Sequence, residues 1–212
     1  LAALLAALAA LGSAAVLFAL FLGNHFEVAY VMGYSSKSLP LLYKVSAFWA
    51  GQQGSFLLWL AFHAAASLVL LRWSRARTND SGSMKDATLA IFLLLEAVLA
   101  MLTLAKSPFE LAEAIPADGA GMNPLLMDPW MAIHPPILFL GYALLAVPLA
   151  CSAGALLTRT PAASWLGTAR SFTLVAWSFL GAGIFIGAYW AYKVLGWGGF
   201  WGWDPVENSS LV

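Results

Sequence analysis

Apolar residues in this chain do not alternate with polar ones; they run together in blocks. Five blocks, at approximately 1–22, 55–73, 87–105, 136–157 and 171–192, match the length of about 20 residues that a helix needs to cross a bilayer. Between them lie loops near 23–54, 74–86, 106–135 and 158–170, and a Trp-rich tail from 193. The pattern predicts an all-α, polytopic membrane helix bundle, one membrane domain over 1–212 with an external segment at 193–212.

Helix-start signals fill the longer loops. Ser107-Pro108-Phe109-Glu110 has the form of a capping box with proline at the first helical position, and Asn123-Pro124 and Asp128-Pro129 repeat the Asx-Pro start. They predict short amphipathic helices along the outer surface, with Trp130 and Met131 dipping inward. Gly51, Gln52, Gln53 and Gly54 are expected to break the chain before the second span and to form its helix entry, with an aromatic anchor at each end, Trp49 and Trp59.

Composition sharpens this picture. Hydrophobic residues make up 62% and charged residues 9% of the chain, far from a soluble domain. A net charge of zero leaves no nucleic-acid footprint. Cys151 is alone, so neither a disulfide framework nor a cysteine metal site is available, and it reads as a small packing residue. The chain opens on Leu1 without a basic stretch, unlike a signal peptide, and stops just after a helix start. It is therefore expected to be an internal piece of a longer protein. Arg72, Arg75, Arg77 and Lys85 flank one short loop and Arg159 and Arg170 another, whereas Lys37, Lys44, Lys106 and Lys193 are diluted among acids. The short basic loops are expected at the cytoplasmic face and the longer segments outside. Loop 74–86, polar and Gly/Ser-bearing, reads as a flexible connection.

The tail gathers Trp190, Trp197, Trp201 and Trp203 with Tyr189, Tyr192 and Phe200 among Gly196, Gly198, Gly199 and Gly202. Indole supplies a rigid apolar face and glycine lets backbone approach a flat object. The segment reads either as a platform for a large planar ligand or as an interfacial aromatic belt. Asp204, Pro205 and Glu207 then read as N-cap, first helical residue and capping-box partner, which accounts for both acids without catalysis.

Three histidines remain. His25 reads as an interfacial residue. His63, inside the second span among alanines, is a functional hypothesis by position, yet a neutral imidazole bonded to a neighbouring helix accounts for it. His134 precedes Pro135 and Pro136, which are expected to open the fourth helix and so to present the ring from its N-cap at the outer face. Two spans separate His134 from the tail, so both fall on one side. Haem is the cofactor that takes both an axial imidazole and flat apolar walls.

These residues carry a resemblance. Trp197-Gly-Gly-Phe-Trp-Gly-Trp-Asp-Pro-Val-Glu-Asn208 resembles the tryptophan-rich signature of the haem-handling proteins of cytochrome c biogenesis, the haem lyase (CcmF/NrfE) type in particular. The stretches from Leu39 to Trp59 and from Asn123 to Pro136 are similar to outer segments of that family. Gly51-Gln52-Gln53-Gly54 departs from the family's Gly-His-Glu-Gly, so no ligand role follows for that loop.

The resemblance implies cytochrome c maturation: haem (haem b, as substrate and resident cofactor) is received from a periplasmic haem chaperone. It is then joined through thioethers to the Cys-X-X-Cys-His site of apocytochrome c, alongside thioredoxin-like subunits, in the lipid of the bacterial inner membrane. It places His134 as an axial ligand of the iron and Trp197, Gly198, Gly199, Trp201, Trp203 and Asp204 on the haem surface. A second axial ligand is expected beyond Val212, and no catalytic residue is assigned. Two other readings stand beside it: a membrane b-type cytochrome in quinol electron transfer, which wants two buried facing histidines, and a transporter, for which Glu96 is the sole intramembrane acid.

Overall fold

A computed structural model describes residues 1–75, 82–196 and 198–212. Arg77 and the centre of the predicted flexible loop, 76–81, lie outside the described residues, as does Trp197. The described chain forms α1 (Ala2–Gly23), α2 (Ala29–Tyr34), α3 (Leu41–Ala47), α4 (Gln52–Arg75), α5 (Gly82–Ala105), α6 (Pro129–Thr158), α7 (Leu166–Val194) and α8 (Pro205–Leu211). Five of these, α1, α4, α5, α6 and α7, are long and apolar enough to cross a membrane.

The spans follow the apolar blocks but extend past them. α4 begins at Gln52, so Gln52, Gln53 and Gly54 form the helix entry, and the break before the span falls at Gly51. α6 begins at Pro129, with Asp128 as its N-cap, and passes through Pro135, Pro136 and Pro148. The prolines before Ile137 therefore lie inside the helix and do not open it. Asp128-Pro129 starts a spanning helix, not a surface helix, and Trp130 and Met131 sit in its first turn. Ser107–Glu110 forms turns only; the Ser107 hydroxyl accepts from the Phe109 N–H at 3.2 Å, and proline here ends a connection without starting a helix. Asn123 does cap a short 3-10 turn, Pro124–Leu126, through its side chain.

Helices pack where side chains are small, because close approach needs little bulk at the contact. α1 buries Ala3, Ala7, Ala10, Leu17 and Phe21, a stripe on one face that meets α4. A Cβ on Gly154 would come within 2.7 Å of Thr88 on α5. Between α6 and α7, a Cβ on Gly141 would meet Leu180 at 2.7 Å and one on Gly183 would meet Leu138 at 3.0 Å.

The end of the spans that the sequence predicts to face outward carries a folded layer, hereafter the outer layer. Its centre is Tyr30 on α2, whose hydroxyl donates to the Phe48 carbonyl at 3.0 Å and accepts from the Gly51 N–H at 2.9 Å. Burial pushes this phenol up from its usual range. Segment 110–121 lies across α2: the Ala29 N–H donates to Glu110 and the Ala112 N–H to Glu27, each at 2.9 Å. Asp118 accepts from the backbone N–H of Lys37 at 2.8 Å, and chiefly this bond holds its carboxyl below the usual range.

A Cβ on Gly54 would lie 1.6 Å from the Phe48 carbonyl oxygen and 2.6 Å from the Tyr30 hydroxyl. Backbone cannot yield there, so Gly54→Ala is expected to destabilise the protein by about 3 kcal/mol, whereas Gly12→Ala, with open space around it, changes stability little. Thermal unfolding in detergent, read by helical circular dichroism, checks the contrast; equal melting temperatures would contradict it.

Candidate functional site

His134 sits in the second turn of α6, facing α7. A helix normally pairs each carbonyl with the N–H four residues on. Pro136 has none to offer, which frees the carbonyl of Ala132. The indole of Trp49, from the outer layer, donates to that carbonyl at 3.1 Å. The proline pair thus recruits a tryptophan that ties the outer layer to the turn bearing His134.

The ring itself is held by α7. Its Nδ1 lies 2.7 Å from the carbonyl oxygen of Gly183. A carbonyl only accepts, so Nδ1 carries the hydrogen and Nε2 of the neutral ring keeps its lone pair. One turn along, a Cβ on Gly187 would lie 2.5 Å from the ring. Gly183 and Gly187 together give the imidazole a hydrogen-bonded seat that no larger residue at 187 would leave open.

Asp128 joins the two helices at their outer ends. Its Oδ1 caps α6 by accepting from the Trp130 N–H at 2.9 Å, and its Oδ2 accepts from Lys193 at 3.0 Å. The indole of Trp190 donates to Leu125 at 3.2 Å, fastening α7 to the 3-10 turn before α6.

Beyond α7 the chain turns back. Its polar residues hold the aromatic ones. Asp204 caps α8, its Oδ1 accepting from the N–H of Val206 at 2.7 Å and Glu207 at 2.8 Å. Glu207 reaches further back than a capping box requires and accepts from the Gly202 N–H at 2.7 Å. Asn208 accepts from the Trp201 indole at 3.3 Å and donates to the Trp203 carbonyl at 3.1 Å. Trp203 stands at φ 58°, a conformation that costs a non-glycine residue free energy and persists only where its surroundings fix it. Tyr192 and Phe200 stack with centroids 4.3 Å apart, and Tyr142 on α6 hydrogen-bonds Ser210 on α8.

This return brings α8 and the loop over His134. One cavity of about 260 Å³ is lined by His134, Leu138 and Gly187 from α6 and α7, and by Phe200, Trp201 and Asp204 from the return. Of the residues singled out from the sequence, His134, Trp201 and Asp204 share this wall. Trp203 is 75% exposed and, like Gly198 and Gly199, lies off the cavity. The expectation that His134 is an N-cap residue is overturned, since Asp128 caps α6 and the ring projects from the helix side. Gly183, Gly187 and Asn208 escaped the sequence reading; the spacing Gly183-x-x-x-Gly187, a signature of close helix contact, was the available signal for two of them.

The other intramembrane groups behave differently. His63 is 2% exposed and stacks on Phe92 with centroids 4.6 Å apart, yet its buried Nδ1 has no hydrogen-bond partner. The expected bond to a neighbouring helix is absent among the described residues. Glu96 is 4% exposed, with one carboxylate oxygen unpartnered. His25 bonds Glu27 at 2.7 Å at the protein surface.

Asp128→Asn keeps an N-cap oxygen and loses only a half-exposed ion pair, whereas Asp128→Ala loses both. The alanine variant is expected to be less stable than the asparagine variant by about 1 kcal/mol; denaturant titration in detergent measures the difference, and equal stabilities would contradict the capping role.

Comparison with known proteins places this arrangement. Residues 13–212 match the family model described as "Cytochrome C assembly protein". CcmF of Pseudomonas aeruginosa is 41% identical over 198 residues, covering 91% of this chain and 29% of that protein. NrfE of Haemophilus influenzae is 37% identical over 192 residues, covering 91% and 30%. The solved structure of a cytochrome c haem lyase, CcmF, is 33% identical and superimposes with a TM-score of 0.75 over 97% of this chain and 32% of that one. The chain thus spans about three-tenths the length of these relatives. It belongs to the cytochrome c assembly protein family.

Proposed function

We propose that this chain presents haem for covalent attachment to apocytochrome c, as part of a haem lyase in the bacterial inner membrane. Haem b arrives from a periplasmic haem chaperone, and thioredoxin-like subunits deliver the apocytochrome to the same outer face. The observation that carries this reading is the shared cavity: an imidazole with a free Nε2 on one wall and Trp201 and Phe200 on another. A planar iron macrocycle suits that donor set, aromatic and aliphatic faces beside one uncommitted nitrogen, with Asp204 and Glu207 on the side of the return.

Haem supplies two vinyl groups, and each thioether forms when a cysteine S–H adds across one vinyl double bond. The residues of this chain bind and orient. His134 would hold the iron through Nε2, its tautomer fixed by the Gly183 carbonyl. Trp201 provides an apolar face inside the cavity; Trp197, Trp203, Gly198 and Gly199, the rest of the aromatic signature, are proposed to meet haem where it extends beyond the cavity, and Asp204, Glu207 and Asn208 hold the loop in place. The carboxylates of Asp204 and Glu207 are committed to backbone N–H groups, so their work is structural. Catalysis by such a site rests on positioning.

Co-expression with an apocytochrome bearing Cys-X-X-Cys-His tests the reading. His134→Ala is expected to lower covalent haem on the reporter by about tenfold or more, measured by haem staining after denaturing electrophoresis. Undiminished attachment would overturn it. Gly187→Ala is expected to shift the visible spectrum of bound haem and weaken haem retention, because its Cβ displaces the ring.

A further inference from the structure

We propose that the end of the bundle opposite His134 is a binding surface for anionic phospholipid, with Arg159 and Arg170 holding the headgroup phosphate. Four arginines mark that end: Arg72 and Arg75 in the last turn of α4, Arg159 as the C-cap of α6, and Arg170 in the second turn of α7. All four are exposed, and none has a hydrogen bond or ion pair from its side chain to another described residue. Three lysines at the His134 end differ. Lys37 donates to the Ala117 carbonyl, Lys44 to Asn24 and Lys193 to Asp128.

Arg159 also sits at a backbone cost. Its φ is 53°, the left-handed conformation that a helix end ordinarily gives to glycine. An arginine held there without a partner among the described residues points to an interaction with something outside the protein. Arg159 and Arg170 flank the connection between α6 and α7, the two helices with the most extensive mutual contact.

The residues beside these guanidiniums define the partner. Leu156 and Leu157, 80% and 74% exposed, come just before Arg159 at the end of α6. Leu174 follows Arg170 by four residues and Val69 precedes Arg72 by three, and both are exposed. Those spacings put each on its arginine's side of the helix, one turn nearer the bilayer centre. A soluble anion makes no use of leucine there. A phospholipid uses both: its phosphate accepts from the guanidinium fork, and its acyl chain runs along the leucines below. The sequence predicts this end to face the cytoplasm, and the cytoplasmic leaflet carries the anionic lipids that draw basic groups to a membrane surface.

Native mass spectrometry tests this. The purified protein in detergent is mixed with equimolar phosphatidylglycerol and phosphatidylcholine of matched acyl chains, and the retained lipids are counted. Phosphatidylglycerol should exceed phosphatidylcholine about 25-fold, about fivefold for each of the two arginines. The Arg159→Gln/Arg170→Gln double variant should bring the ratio below about fivefold and leave the haem spectrum unchanged. Arg159→Gly suits the left-handed backbone, so it should fold at least as stably as the wild type while lowering the ratio about fivefold; it decides the matter should the double variant not fold. Millimolar inorganic phosphate should leave the retained lipid in place. Equal retention of the two lipids by the wild type, displacement by inorganic phosphate, or a ratio unchanged in Arg159→Gly and in a folded double variant would overturn the proposal.

Discussion

The hydrogen bond from His134 Nδ1 to the Gly183 carbonyl is the constraint around which this structure is arranged. It requires α6 and α7 to lie close, and they do so because Gly141, Gly183 and Gly187 leave no side chain at the contact. Lipid offers no hydrophobic drive for helix pairing, so packing and interhelical hydrogen bonds must supply it. The same bond fixes the imidazole tautomer. Structure and chemistry here share one interaction, and loss of a glycine disturbs both.

Two further devices point at the same turn. Pro136 strips a carbonyl of its helical partner, and Trp49 replaces it from the outer layer. Asp128 caps the helix and binds Lys193, so the start of α6 and the end of α7 are fixed to each other just before the chain enters its aromatic return. The layer around Tyr30 and Gly54 is rigid for its own reasons, and through Trp49 that rigidity reaches the site. Phe200 and Trp203 of the return are exposed and Trp201 is half-buried. They are held by the polar side chains of Asp204, Glu207 and Asn208 rather than by burial.

Much of this was legible in the sequence. The apolar blocks located the five spans, because length and hydropathy alone decide what can cross a bilayer. The signature after Tyr192 identified the aromatic return, and Asp204 and Pro205 read correctly as a helix start. What misled was proline. Pro135 and Pro136 read as a helix opening, but a tertiary donor, Trp49, compensates one lost bond and lets α6 continue; local rules cannot see a partner 83 residues away. Ser107–Glu110 failed in the converse way, with local capping chemistry but a backbone drawn off to pair with α2. His63 shows a third limit. Its burial followed from position, but the missing partner became visible only with the neighbouring helices in place.

We propose that Nε2 of His134 is the atom that this fold prepares for iron. The most direct measurement is the visible spectrum of haem on the purified protein, for wild type and for His134→Gly, with and without added imidazole. The glycine variant is expected to lose the signal of an imidazole-bound iron, and free imidazole, fitting the vacated seat beside Gly187, to restore it. A glycine variant with the wild-type spectrum and haem content, indifferent to imidazole, would contradict it.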